Sequence, residues 1–107
     1  MSDSPPPMPF PFGTPLRIVE CRDFYDVPHV ILAAGGLGYW MLDAPFDDVL
    51  DDFSPEYSLS FAGVDSDGAR AYFAAVCEGR TAADVIGRIA RTRLEFDATR
   101  RRELICR

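Results

Sequence analysis

The segment Tyr39–Tyr57, YWMLDAPFDDVLDDFSPEY, organises this sequence. It begins as an aromatic, apolar run typical of a β-strand and continues into a stretch rich in aspartate. Its six acidic residues, called the acidic cluster below, are Asp43, Asp47, Asp48, Asp51, Asp52 and Glu56. Phe46, Leu50 and Phe53 are spaced four and three positions apart. This spacing predicts one or two helical turns that point these three side chains inward and the aspartates outward.

Outside this segment, alternating patterns and turn residues predict the remaining elements. Gly35–Gly38 separates two strand-like runs, and its glycines supply the positive φ angles of a tight hairpin. The predicted strands cover residues 16–24, 29–34, 39–43, 57–63 and 90–97, with a further short strand at 102–106. The predicted helices cover residues 67–78 and 81–88. A single long helix reaching Leu104 is the alternative for the C-terminal part.

These elements predict an α+β fold, an antiparallel sheet of about four or five strands with two helices packed on one face. The length of 107 residues is usual for one domain. Residues 1–15 hold six of the nine prolines and are predicted to be a disordered tail, so the single domain covers residues 16–107. The side chains predicted to fill the core are Ile18, Val30, Leu32, Trp40, Leu42, Phe46, Leu59, Phe61, Phe73, Val85, Ile86, Leu94 and Phe96.

The charge of the chain is negative and unevenly distributed. The net charge of −6 argues against a nucleic-acid backbone or an anionic membrane as the main partner. Residues 1–79 carry −10 and residues 80–107 carry +4, and every basic residue is arginine. This distribution predicts that arginines within 88–102 pair with the acidic half, either inside one chain or across a homodimer.

No pattern in the sequence indicates catalysis or metal binding. His29 is the single histidine and lies on a predicted strand, which favours a structural role. The three cysteines lie in apolar patterns that indicate buried side chains: Cys21, Cys77 and Cys106. Residues 65–68, DSDG, look like the start of a calcium loop, but alanine and arginine follow where further oxygen ligands are needed. We therefore predict no catalytic residue, no metal site, no cofactor and no enzymatic activity.

Targeting signals are likewise not indicated by the pattern. The first residues lack a basic stretch followed by a continuous apolar run, so no signal peptide is predicted. The longest run of apolar residues and glycine, Val30–Leu42, is shorter than the ~20 residues that span a bilayer. The sequence therefore predicts a cytoplasmic protein.

An acidic surface without catalytic residues favours a protein-binding function. In general character, a small acidic α+β domain of this kind resembles bacterial immunity proteins, which neutralise a toxin; the resemblance covers no specific motif. It implies that the acidic cluster is the binding site for a basic toxin or nuclease. Two alternatives are a small cation-binding or catalytic domain that uses the aspartates, and a structural homo-oligomer.

Overall fold

The computed structural model describes residues 10–11, 13–24, 28–36, 38–44, 46–96 and 103–106. Nine strands, one α-helix and a 3₁₀ turn at Arg91–Arg93 lie within these ranges. The elements are β1 (Leu16–Phe24), β2 (Pro28–Gly35), β3 (Gly38–Asp43), β4 (Phe46–Asp47), β5 (Asp52–Phe53), β6 (Glu56–Gly63), α1 (Ser66–Cys77), β7 (Val85–Ala90), β8 (Leu94–Phe96) and β9 (Glu103–Cys106). Among the described residues, no helix combines the length and the apolar character needed to cross a membrane.

Seven strands form one antiparallel sheet in the order β7-β6-β3-β2-β1-β9-β8. In a flat sheet of this order, β7 and β8 would lie six spacings apart, about 29 Å. The chain joins them through Arg91–Arg93 alone, and the step from Ala90 to Leu94 reaches at most about 14 Å. The sheet must therefore curl until its two edge strands approach each other, which gives an incompletely closed barrel.

The two faces of the curled sheet bury separate apolar clusters. The inner cluster contains Phe10, Leu16, Ile31, Ala33, Trp40, Leu42, Ala44, Tyr57, Leu59 and Ile89, with Ile18 and Leu94 packed against it. The outer cluster contains Leu32, Met41, Ala62, Ala69 and Phe73. Leu94 of β8 and Ile89 of β7 belong to the same inner cluster although their strands are at opposite ends of the order, as the curl requires.

Helix α1 covers the outer face and buries Ala69 and Phe73. Asp65 caps its first turn, because the Asp65 carboxylate accepts a hydrogen bond of 3.1 Å from the backbone N–H of Gly68. The helix predicted at 67–78 is thus confirmed, with bounds that differ by one residue at each end. The guanidinium of Arg22 lies 5.5 Å from the centre of the Phe73 ring, so β1 also contacts the helix.

The predicted fold class is wrong in its helices. No second helix packs on the sheet in the described part of the chain, because residues 85–88 of the predicted helix 81–88 belong to strand β7, which pairs with β6. Of residues 90–97, predicted as one strand, residues 90–96 are divided among the end of β7, the 3₁₀ turn and β8, and residue 97 lies outside the described residues. The β-branched Val85, Ile86 and Ile89 suit a strand, and Gly87 is a poor helix former. The other predicted strands, including the one at 102–106, are confirmed within one or two residues.

A β-bulge interrupts the pairing of β6 with β7. Leu59 pairs with Gly87 and Ser60 pairs with Val85, so Ile86 is the extra residue on β7. The side chains of Val85 and Ile86 are 44% and 41% exposed. Their predicted burial is wrong, because helical spacing placed them on an inward face that the strand does not have.

The remaining core predictions divide into three groups. Burial is confirmed for Leu32, Trp40, Leu42, Leu59 and Phe73. Partial burial against a cluster is observed for Ile18, Val30 and Leu94. Phe61 is 40% exposed near the end of β6, so its predicted burial is wrong, and the side chains of Phe46 and Phe96 lie outside the described residues.

The predicted tail contributes one residue to the inner cluster. Phe10 is 3% exposed and packs edge to face on Trp40, with ring centres 5.6 Å apart. Residues 1–9 lie outside the described part of the chain. The domain boundary at residue 15 stays a prediction, with Phe10 as a core contact on its N-terminal side.

Candidate functional site

The centre of the acidic cluster is a small hairpin between β3 and β6. Strands β4 and β5 form their own two-stranded sheet, in which Phe46 pairs with Phe53 and Asp47 pairs with Asp52. The predicted helical turns at this point are therefore wrong. In residues 46–53, FDDVLDDF, the flanks FDD and DDF mirror each other about the central Val49 and Leu50. A hairpin that turns at this centre pairs Phe46 with Phe53 and Asp47 with Asp52. This mirror symmetry of the flanks is the signal that helical spacing concealed.

The hairpin turn presents two apolar side chains to solvent. Residues 48–51 form the turn, and Asp51 has a positive φ of 53°, a conformation that aspartate adopts more readily than most residues. Val49 is 93% exposed and Leu50 is 55% exposed, so the predicted inward role of Leu50 is wrong. Val49 was not among the predicted site residues, and it is the most exposed large apolar side chain in the described part of the chain.

The hairpin brings four of the six predicted site residues together. Asp48 and Asp51 lie in the turn, and Asp52 lies opposite Asp47 in the ladder; the side chains of Asp48, Asp51 and Asp52 are exposed. The side chain of Asp47 lies outside the described residues. Like charges at directly opposite positions of a ladder destabilise the pairing, so folding alone does not favour this arrangement.

The other two site residues flank the base of the hairpin. Asp43 ends β3, pairs with Ser58 of β6 and is half-buried. Glu56 begins β6 and is exposed, and its backbone N–H donates a 3.2 Å hydrogen bond to Ser54 Oγ. These two residues extend the acidic surface from the hairpin onto the main sheet.

Asp48 and Asp51, the two acids of the turn, form no ion pair with an arginine in the described part of the chain. The ion pairs Arg70–Glu20 at 3.5 Å and Arg80–Glu78 at 2.6 Å lie outside the hairpin. The backbone N–H of Arg91 donates a 2.9 Å hydrogen bond to the carbonyl oxygen of Pro55, which anchors the 3₁₀ turn beside the hairpin base. The predicted pairing with arginines up to residue 102 stays a prediction, since residues 97–102 lie outside the described part.

Tyr57 is buried beneath the hairpin base. It belongs to the inner cluster and pairs with Ile89 of β7. Burial raises the pKa of its phenol above the ordinary value of 10, and the positive charge of Arg91 partly opposes that rise. The phenol therefore stays neutral at physiological pH and belongs to the core.

The predicted structural histidine is buried on the inner side of β2. His29 is 4% exposed, and its carbonyl oxygen accepts a 2.8 Å hydrogen bond from the backbone N–H of Ala44. Cys21 is exposed and Cys77 is half-buried on α1, so burial is wrong for Cys21, while the Cys106 side chain lies outside the described residues. Among the described residues, no three histidine, cysteine or carboxylate side chains gather closely enough to hold a metal ion.

Comparison with known proteins adds no functional assignment. No family model matches the chain, and no curated protein or solved structure resembles it at a significant level.

Proposed function

We propose that this protein is a protein-binding module whose acidic hairpin docks into a basic cleft with an apolar floor on a partner protein. The observation that carries the proposal is the exposed pair Val49 and Leu50 at the tip of a hairpin surrounded by aspartates. Exposed apolar side chains framed by charge are typical of interfaces, in which an apolar centre lies within a polar rim.

The charge of the hairpin supports a basic partner. Asp48 and Asp51 make no ion pair within the described part of the chain, and Asp47 and Asp52 lie opposite each other in the ladder. A complementary positive surface relieves their mutual repulsion and accelerates the encounter through long-range attraction. The short β4–β5 ladder fixes the tip before binding, so less conformational entropy is lost on association.

The partner class that fits this surface best is a basic toxin or nuclease, neutralised in the manner of an immunity protein. The basic cleft of such an enzyme accommodates a protruding acidic hairpin, and blocking the cleft needs no chemistry from the inhibitor. The proposal includes a cytoplasmic location and no enzymatic activity for this chain.

The proposal is tested by removing the hairpin charges without removing their side chains. The quadruple variant Asp47→Asn, Asp48→Asn, Asp51→Asn and Asp52→Asn is compared with the wild type as bait, and the partner recovered by the wild type is then purified. With that partner we expect association to slow at least ~10-fold at low salt and to lose most of its salt dependence, since steering by charge is removed.

A matched control separates the location of the charges from the net charge. The control variant changes four exposed acids outside the hairpin, Asp65→Asn, Asp67→Asn, Asp84→Asn and Glu103→Gln. Its association rate should stay within about threefold of the wild type. Salt screens charges that lie far from the interface, so they contribute little to the attraction that guides the two proteins together. Equal recovery and equal salt dependence for the hairpin variant would show that the hairpin is not the interface. Unfolding of that variant would instead assign the aspartates to an internal network.

A further inference from the structure

Surfaces of opposite charge lie side by side at one end of the sheet. The acidic hairpin leaves the sheet between Asp43, the last residue of β3, and Glu56, the first residue of β6. Glu56 pairs with Ala90 at the end of β7, and the next residue, Arg91, donates its backbone N–H to the carbonyl oxygen of Pro55. The end of β7 and the turn that follows it therefore lie beside the base of the acidic hairpin.

Two arginines at this end of β7 carry positive charge that the described part of the chain does not pair. Arg88 is exposed and lies opposite Ser58 in the ladder, and Arg91 is half-buried in the 3₁₀ turn. Neither arginine forms an ion pair with a described residue. Ile86, two residues before Arg88, is 41% exposed and adds apolar surface. Arg88 and Arg91, together with Ile86, are called the arginine edge below.

The tip of the hairpin has the complementary composition. Asp48 and Asp51 are exposed and enclose the exposed Val49 and Leu50. With Val49 at 93% exposure, the tip projects into solvent and does not lie on the arginine edge of its own chain. One end of the molecule thus presents an acidic protrusion with an apolar tip, and next to it a basic edge with an exposed apolar side chain.

Adjacent surfaces that complement each other are self-complementary under a two-fold rotation. When the same ends of two copies face each other around a two-fold axis, the hairpin of each copy meets the arginine edge of the other. We propose that the protein forms this dimer, in which Val49 and Leu50 of one copy pack beside Ile86 of the second. Charge complementarity indicates a second copy as the occupant, because one surface supplies both halves of a contact that a single chain leaves open.

The net charge of −6 opposes self-association, but mainly at long range. At ~0.15 M salt the Debye length is about 8 Å, so repulsion between the bulk of two copies is largely screened, whereas charges in direct contact are screened much less. The contacts therefore outweigh the repulsion at this ionic strength. Interfaces made of a few side chains belong to the weak, transient class, so we expect a dissociation constant between ~10 µM and ~1 mM.

This inference goes beyond the proposed function and does not rest on it. In the dimer each hairpin tip is covered, so a basic partner has to displace the second copy before it binds the hairpin. Self-association would then keep the apolar tip out of solvent until such a partner is present.

Charge reversal on either side of the contact tests the dimer. Arg88→Glu sets a negative charge against the hairpin of the second copy, and Asp48→Arg sets a positive charge against its arginine edge. Each variant alone should self-associate at least ~10-fold more weakly than the wild type, because like charges meet in the interface. Sedimentation velocity across a concentration series measures this. The matched control Arg17→Glu makes the same charge change at an exposed position on β1 and should self-associate as the wild type does.

Mixing the two variants tests which surfaces meet. Equal amounts of Arg88→Glu and Asp48→Arg should associate about as strongly as the wild type, because their mixed dimer holds one native contact and one with both charges exchanged. A mixture of Arg17→Glu with Asp48→Arg should gain no association beyond that of Arg17→Glu alone. Restored association in the first mixture and not in the second supports the dimer.

The opposite results overturn it. A wild type that stays monomeric at ~1 mM would show that the arginine edge receives no second copy, and would leave the proposed function standing. Self-association that neither reversal weakens, or that mixing does not restore, would place the contact elsewhere. If Asp48→Arg loses the wild-type circular dichroism spectrum, Asp52→Arg, which also removes like charges from the β4–β5 ladder, takes its place. Arg88→Glu keeps the whole hairpin, so it tests self-association without altering the surface proposed for a basic partner.

Discussion

At the scale of single residues, Tyr57 makes the free energy of unfolding depend on pH in the alkaline range. Its pKa is raised in the folded state by burial, so above pH about 10 the unfolded chain releases a proton that the folded chain retains. The unfolded state then binds fewer protons, and the free energy of unfolding falls as pH rises. Below that pH the stabilising contribution is fully present. The chain has no lysine, which leaves this pH window free of lysine titration.

We expect the contribution of Tyr57 to the free energy of unfolding to be constant below pH about 9 and to fall above pH about 10, by up to ~1.4 kcal/mol per pH unit. Urea denaturation of the wild type and Tyr57→Phe at each pH measures this, and the variant should lose most of the decline. Tyr39→Phe, on the neighbouring strand β3, is the control and should keep it. A decline that is unchanged in Tyr57→Phe would place its source elsewhere.

The burial of individual side chains could be predicted where apolar and polar residues alternate clearly along a strand. Leu32, Trp40, Leu42 and Leu59 were identified as core because they lie on strands whose bounds follow from the pattern. Phe10 was not identified, because its burial depends on a turn at Gly13 and a ring contact with Trp40 that no local pattern encodes.

At the scale of elements, the start of α1 depends on one hydrogen bond. Replacing the capping Asp65 with alanine should lower the free energy of unfolding by ~1 kcal/mol and the Tm by roughly 5 °C. Asp65→Asn removes the same charge but keeps a capping oxygen, so it should stay close to the wild type. Thermal unfolding followed by circular dichroism compares the three proteins. Equal losses in both variants would assign the effect to charge.

Two elements show why the local sequence pattern did not decide between helix and strand. In residues 81–89, the spacing of Val85, Ile86 and Ile89 fits a helical face, but their β-branched side chains also suit a strand, and pairing with β6 decides for the strand. In residues 46–53 we predicted helical turns from the same kind of ambiguous spacing, although the flanks FDD and DDF, which mirror each other about Val49 and Leu50, fit the hairpin that is observed. The positions of the acidic residues were read directly from the sequence, but the exposed apolar tip depends on the turn.

At the scale of the whole molecule, the curl of the sheet arises from the pairing of β1 with β9. Leu16 pairs with Leu104 across most of the chain, and this distant pairing, with β8 beyond it, brings β8 around toward β7. No local signal reports which distant strands will pair. The sequence therefore indicated an antiparallel sheet but not its closure.

Because the sheet curls, replacing an apolar side chain with alanine should destabilise the protein to a different extent at its two edge strands. Leu94→Ala on β8 should lower the free energy of unfolding by about 2 kcal/mol, because Leu94 packs against the inner cluster. Ile86→Ala on β7 should cost less than about 1 kcal/mol, since that side chain is substantially exposed. Urea denaturation midpoints and slopes measure both. A flat sheet would reverse this expectation for Leu94, which would then lie far from the inner cluster.

The bulge at Ile86 bears on how this chain avoids aggregation. An edge strand that carries Val85 and Ile86 on its surface is a potential template for another chain to stack against, as in a fibril. A bulge increases local twist and breaks the regular spacing of backbone donors and acceptors, and Arg88 adds an exposed charge two residues later. The irregularity that removes one residue from the ladder thereby makes the edge a poor seed for cross-β growth.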